Sequence, residues 1–186
     1  MYNSLLKAYP QIAAQLKPYE SYWKEVYIEP KNILLHEGAV SKSMYFIVNG
    51  AMRLYSNMNG KEITLQFFFE NSFVASIESF LKETPSQFTI ETIEACKVLK
   101  IEKELWKRIL AENPQLKEKH FDITTNRFMD YINHLLAFIQ QKPEQRYFEL
   151  LKNKPYILQR VPLQYIASYL GITTVSLSRI RGRIRI

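Results

Sequence analysis

The sequence predicts an α+β protein in which an antiparallel β segment is followed by a long helix and a helix-turn-helix. Three observations carry this expectation. Hydrophobic periodicity changes from helical to β-type near Val26 and returns to helical after Ile101. The stretch of 27 residues from Gln115 to Gln141 contains neither Pro nor Gly. The final 37 residues, Leu150 to Ile186, hold seven basic side chains and no Asp or Glu. Residues 1–149 balance 18 Lys and Arg against 18 Asp and Glu, so the whole net charge of +7 lies in that last segment.

Each element follows in order. Residues 1–25 place Leu5, Leu6, Tyr9, Ile12 and Leu16 at helical spacing before Pro18, which predicts one short helix and a turn. From Val26 to Ile101 the chain runs in short β-type segments: Ile33–Leu35, Met44–Val48, Ala51–Tyr55, Ile63–Phe69, Phe88–Ile93 and Lys97–Ile101. The pairs Glu37-Gly38, Asn49-Gly50 and Asn59-Gly60 supply turn chemistry between them, the signature of an antiparallel barrel or sandwich. Glu104 to Leu110 forms a short helix that ends near Pro114. Beyond it, Phe121, Ile123, Phe128, Ile132, Leu135, Leu136 and Ile139 stripe the long helix. About 27 residues span roughly 40 Å, more than the core of a domain this size needs, so the helix is expected to pair with its twin across a two-fold axis. Pro143 breaks it and begins a linker.

Val161 to Arg181 is patterned as two short helices about a tight turn. Ile166, Leu170, Ile172, Leu177 and Ile180 fall where steeply crossing helices share a core, and Ala167 is small at their close approach. Gly171 stands where a helix ends in a left-handed cap, and Thr173 or Thr174 caps the next helix. Pro162 suits the first turn of the leading helix. In this geometry the second helix enters the major groove, which presents Thr173, Thr174, Val175, Ser178 and Arg179 to base edges. An Arg there makes a bidentate contact to guanine, while Val175 and the Thr174 methyl suit a thymine methyl. Gln164, Tyr165, Ser176 and Arg181 are expected on phosphates, as are Arg183 and Arg185. A patch of one charge sign favours duplex DNA because phosphate neutralisation releases condensed counterions.

Composition narrows the function classes. Hydrophobic content of 47% over 186 residues marks a globular chain. A single Cys, Cys96, excludes a disulfide framework and any multi-cysteine metal centre built within one chain. Without a signal peptide or an 18-residue apolar run, a cytoplasmic protein with no membrane partner is expected. No Gly-rich phosphate loop, Ser-His-Asp set or metal-spaced cluster appears, so neither enzymatic activity nor a cofactor is expected. His36, His120 and His134 are scattered and read as surface or half-buried residues.

The chain resembles the Crp/Fnr-type bacterial transcription regulators along its length. The residues that carry the likeness are Gly38, Met44-Tyr45-Phe46-Ile47-Val48-Asn49-Gly50, Arg53-Leu54-Tyr55, Gly60-Lys61-Glu62, Ile166 to Ile172 and Leu177-Ser178-Arg179-Ile180. The resemblance implies a cyclic-nucleotide-binding-like β-roll of double-stranded β-helix type over residues 1–113 with the N-terminal helix. It further implies a dimerisation helix over 114–142 and a helix-turn-helix domain over 143–186. A homodimer reading a near-palindromic duplex, with RNA polymerase as a further partner, follows from it.

Cyclic-nucleotide members of that family carry a Phe-Gly-Glu motif and, later, an Arg followed by Ser or Thr. The Glu holds the ribose hydroxyls and the Arg neutralises the cyclic phosphate. Here the first motif becomes Phe73-Val74-Ala75-Ser76 and the second falls at Ser86-Gln87, so the effector pocket keeps the positions but neither charge. Cyclic AMP is therefore not expected to bind, since a buried phosphate without a cation costs several kcal/mol. Either a small neutral effector occupies the roll or its Phe67, Phe68, Phe69, Phe73 and Phe88 side chains fill it, and filled core is the default. The β-hairpin wing usual in the family is expected to be missing or only begun at Arg183-Ile184-Arg185-Ile186. The alternative function is a ligand-binding or protein-interaction module whose DNA-binding domain has degenerated.

Overall fold

The computed structural model describes residues 1–183, which divide into two compact units. The first comprises Met1–Ser56 and Gln66–Asp122. Its N-terminus folds as two helices, α1 (Tyr2–Ala8) and α2 (Ala13–Leu16), with 3₁₀ segments at Pro10–Ile12 and Lys17–Tyr22. The single helix expected from the apolar spacing is thus broken earlier than Pro18. Pro10 lacks the N–H that would continue α1, and each 3₁₀ segment carries a proline within its first two residues, Pro10 in one and Pro18 in the other. Leu5 and Leu16 nonetheless reach full burial.

Eight strands follow: β1 (Lys24–Ile28), β2 (Ile33–Leu35), β3 (Ser43–Asn49), β4 (Met52–Met58), β5 (Lys61–Phe68), β6 (Phe73–Val74), β7 (Thr89–Thr92) and β8 (Cys96–Glu102). They form two four-stranded sheets, ordered β1-β8-β3-β6 and β2-β7-β4-β5. Pairing is antiparallel at β1–β8, β3–β8, β3–β6, β2–β7 and β4–β7. Asn59 and Gly60 both take positive φ, 55° and 81°, the two-residue hairpin geometry that their sequence predicts. The two-residue strand β6 and the helix α3 (Ile77–Lys82) are too short to leave a periodic signal. Core side chains from both sheets, among them Phe46, Ile47, Met52, Ile90, Val98, Leu99 and Ile101, are buried. A buried ion pair crosses β4 and β7: Arg53 Nε donates to Glu91 Oε2 at 2.6 Å, and the guanidinium lies 3.9 Å from the Tyr55 ring centroid. Helix α4 (Lys103–Glu112) adds Trp106 and Ile109 to this core.

The second unit joins Asn57–Leu65 to the chain from Ile123 onward. Helix α5 (Pro114–Gln140) runs 27 residues, as the missing Pro and Gly predict. Pro143 does not open a linker. It is the first residue of α6 (Pro143–Asn153), where its missing N–H is no loss, and the Gln145 side chain accepts from the Lys142 N–H at 2.8 Å. Pro155 starts α7 (Pro155–Arg160) in the same way. Then come α8 (Leu163–Tyr169) and α9 (Thr174–Arg183). His134 of α5 is half-buried, stacked on Tyr169 at 4.3 Å between centroids and edge-on to Phe138 at 4.9 Å. Among the described residues no helix is long and apolar enough to cross a membrane.

Two outcomes follow for stability. A Cβ at Gly50, where φ is +112°, would lie 2.6 Å from Cys96 Sγ and 2.7 Å from the Ala95 carbonyl oxygen, whereas at Gly60 nothing stands within 4 Å. Gly50→Ala is expected to cost about 2–4 kcal/mol and Gly60→Ala about 1 kcal/mol in urea unfolding. Burial, aided by the Lys154 and Arg146 cations, pushes the His134 imidazole down from 6.5 to about 4. The unfolded chain therefore takes up this proton first, so the contribution is whole above the unfolded value and declines as pH falls toward 4. After allowance for partial exposure, His134→Gln should remove roughly 1–2 kcal/mol of that acid-side loss, read as a flatter dependence of unfolding free energy on pH.

Candidate nucleic-acid interface

The turn between α8 and α9 is built from backbone hydrogen bonds. The Ile172 N–H donates to the Ala167 carbonyl at 3.0 Å and the Gly171 N–H to the Ser168 carbonyl at 3.0 Å, the paired pattern of a Schellman cap. Gly171 supplies the left-handed residue at φ +66°. A Cβ there would also meet Phe138 Cε1 at 2.4 Å, so glycine is required twice over. Of the two candidate caps, Thr173 is the one used: its Oγ1 accepts from the Ser176 N–H at 3.1 Å. Pro162 takes the N-cap position of α8, one residue before the first turn predicted for it.

The shared core of the two helices consists of Ile166, Ala167, Leu170, Leu177 and Ile180, all buried, with Ile172 half-buried. With Leu177 and Ile180 inward, α9 turns Thr174, Val175, Ser178, Arg179 and Arg181 to solvent, and Thr173 precedes them exposed. Gln164 is exposed and Ser176 half-buried. Tyr165 departs from expectation. At 8% exposure its ring belongs to the core beside Ile166, so it is not part of the presented face. Arg183 continues α9 as helix, 3.7 Å from Glu144 Oε1, so the alternating strand pattern read from Arg183 onward fails at its first residue. Arg185 and the rest of that run, Ile184–Ile186, lie outside the described residues.

Contacts that sequence reasoning missed fix the position of α8 within this unit. Ser168 Oγ donates to the Glu62 carbonyl at 2.7 Å and accepts from the Thr64 N–H at 2.9 Å. Arg146 donates through Nη2 to the Leu170 carbonyl at 2.8 Å and through Nη1 to the Gln141 carbonyl at 2.7 Å. Such pairs join distant parts of the chain and leave no local pattern in the sequence.

In the roll, the residues expected at an effector pocket are brought together in part. Phe73 is an aromatic hub instead, 5.3 Å from both Tyr9 and Phe46, 6.3 Å from Trp23 and 6.1 Å from Trp106. Its partner in β6, Val74, is fully buried, and Ala75 is buried as well. Ser76 and Ser86, where the resemblance leads one to expect the charged residues of cyclic-nucleotide binders, are buried and share a hydrogen bond of 2.8 Å between their hydroxyl oxygens. Ser86 Oγ also accepts from the Phe88 N–H at 3.1 Å. Gln87 is exposed, outside this cluster.

Residues 25–113 match the cyclic nucleotide-binding domain family. The chain is 24% identical over 87 residues to the cAMP-activated global transcriptional regulator CRP of Salmonella typhimurium, covering 46% of this chain and 41% of that protein. It thus spans about two fifths of the length of that relative. Over 179 residues it is 24% identical to the nitrogen fixation regulation protein FixK of Bradyrhizobium diazoefficiens, covering 90% of this chain and 74% of the relative. The fold matches that of a transcriptional regulator of the crp/fnr family from Eubacterium rectale with a TM-score of 0.77 at 18% identity, covering 95% and 87% of the two chains. The antiparallel roll, the helices that follow it and these likenesses agree: residues 25–113 form a domain of the cyclic nucleotide-binding type, and the chain has the fold of the Crp/Fnr-family structures.

Proposed function

We propose that this protein is a DNA-binding transcriptional regulator that acts as a homodimer on a near-palindromic duplex. The observation that carries the reading is the outward face of α9. Thr174, Val175, Ser178, Arg179 and Arg181 stand exposed on a helix without any acidic residue, behind a capped turn that fixes its direction. Arg179 is suited to guanine in the major groove, Val175 and Thr174 to thymine methyls, and Gln164, Ser176 and Arg181 to phosphates. In this reading residues 1–113 form the sensor, 114–142 the pairing helix and 143–186 the reader.

Dimerisation is supported by α5. Phe121, Phe128 and Leu135 recur every seven residues and are 68%, 60% and 56% exposed, with Ile139 beside them at 72%. That spacing is a coiled-coil seam, and burying each side chain against a twin is worth roughly 1.5–3 kcal/mol. The sensor does not bind cyclic AMP. Ser76 and Ser86 satisfy one another, and neither offers the carboxylate or the cation that a cyclic nucleotide requires.

The test is fluorescence anisotropy with duplex from the protein's own upstream region across a salt series, with unrelated duplex as competitor. Arg179→Ala should weaken the specific duplex by about 1–3 kcal/mol and the competitor far less. Arg181→Ala should weaken both and flatten the salt slope by about one. Leu135→Glu combined with Ile139→Glu should yield monomers in sedimentation equilibrium and abolish preference for the palindrome. Equal, weak affinity for every duplex from a folded dimer would favour the interaction-module alternative. Micromolar heat on titration with cyclic AMP would overturn the assignment of the roll.

A further inference from the structure

A cavity of about 250 Å³ lies within the helical unit, between facing sides of α5 and α6 and closed by the end of α8. Its half-buried lining includes His134, Arg146 and Tyr169, and its exposed lining includes Asp130, Asn133, Asn153 and Lys154. This volume equals the liquid share of about eight water molecules, the size of a small metabolite.

The electrostatics of the lining are unbalanced at the inner end. Arg146 spends Nη1 and Nη2 on two neutral carbonyls, its guanidinium carbon lies 4.4 Å from the Phe138 ring centroid, and its Nε is buried without an acceptor. No carboxylate pairs with it among the described residues, and burial lowers its pKa. Lys154 adds a second cation whose field, like that of Arg146, reaches His134. A half-buried cation without a counter-ion is costly, and an incoming carboxylate recovers that cost through a charge-assisted contact. The exposed part of the lining carries both signs, Asp130 and Glu149 as well as Lys154, and the Glu149 carboxylate accepts from Gln141 Nε2 at 2.7 Å. A ligand with an inner carboxylate and an outer ammonium finds a counter-charge for each of its groups.

We propose that this cavity binds a small zwitterionic carboxylate of amino-acid size, its carboxylate toward Arg146 and Lys154, its ammonium toward Asp130, and the Asn133 and Asn153 amides completing its hydrogen bonds. The occupant would touch Tyr169 and the guanidinium that holds the Leu170 carbonyl, so it would bear directly on the end of α8. An effector site then lies in the reading unit, independent of what the roll binds.

The test uses the full chain and the ring C–H signal of His134, identified by its loss in His134→Gln. Each standard L-amino acid is added singly at millimolar concentration, with sodium acetate and methylammonium chloride as half-ligands. Saturable binding of at least one amino acid is expected, with the His134 titration midpoint moving upward because the bound carboxylate offsets Lys154 and Arg146. Acetate should bind more weakly and methylammonium not at all. Lys154→Gln and Asp130→Asn change exposed side chains, so the fold is retained, and each should weaken the amino acid at least about tenfold. The proposal is overturned if no amino acid binds saturably, if the His134 midpoint stays in place on binding, or if both folded variants bind as the parent does.

Discussion

The presentation of α9 depends on one guanidinium. Arg146 closes two helix ends at once, donating to the Gln141 carbonyl just past α5 and to the Leu170 carbonyl at the C-cap of α8. Carbonyls at helix C-termini lack intrahelical partners and carry the negative end of the macrodipole, so a cation is the most favourable group to satisfy them. The same side chain lies over Phe138, and Phe138 in turn occupies the space in which a Cβ at Gly171 would have to fit. Turn, cap and ring thus restrict one another. The direction of α9 follows from them, because its Thr173 cap begins two residues after that glycine.

The roll is organised by a different economy of polar groups. Ser79 Oγ accepts from the Ser41 N–H at 2.9 Å and lies 2.6 Å from the Thr84 carbonyl, while Ser76 and Ser86 bond to each other. Small hydroxyls satisfy buried backbone here without bringing charge. Among the described residues charge is buried with a partner: Arg53 with Glu91, directly opposite across β4 and β7, and Lys103 with the more exposed Glu83 at 2.9 Å. An isolated ion in either place would be far more costly than a paired one. The buried hydroxyls of Ser76 and Ser86 fit this pattern, and so does the aromatic hub around Phe73.

Much of the architecture was legible because it rests on local period. The alternating runs became β2, β3, β4, β5, β7 and β8, and the uninterrupted stretch became α5. Capping chemistry was equally legible at Gly171 and Thr173, where one residue type answers one backbone need. Prolines were read less well. Pro10 lies inside an apolar pattern that runs on to Pro18, and Pro143 reads as a breaker that opens a linker, yet in the fold both start new helical segments, because a helix N-terminus has no use for the missing N–H. Tyr165 was misplaced for a related reason: its polar tip suggested a surface, and its ring volume decided for the core. The Arg146 and Ser168 hydrogen bonds and the stacking of His134 on Tyr169 join residues 5 to 106 apart in sequence, and no pattern in the chain announces them.

Charge and apolar surface are separated along the second half of the chain, and the separation bears on how a reader of this size binds. α5 exposes aromatic and aliphatic side chains, and α9 exposes Arg179, Arg181 and Arg183. A single α9 neutralises few phosphates, and affinity from counterion release grows with their number. In the proposed dimer, pairing two chains through α5 would double the phosphates met in one event and cover the apolar seam in the same step. The two surfaces are therefore complementary in the proposed dimer: the apolar side chains of α5 are exposed in one chain, and the basic face of one α9 is small. The proposed two-fold assembly would meet both, and its symmetry would carry over to the duplex.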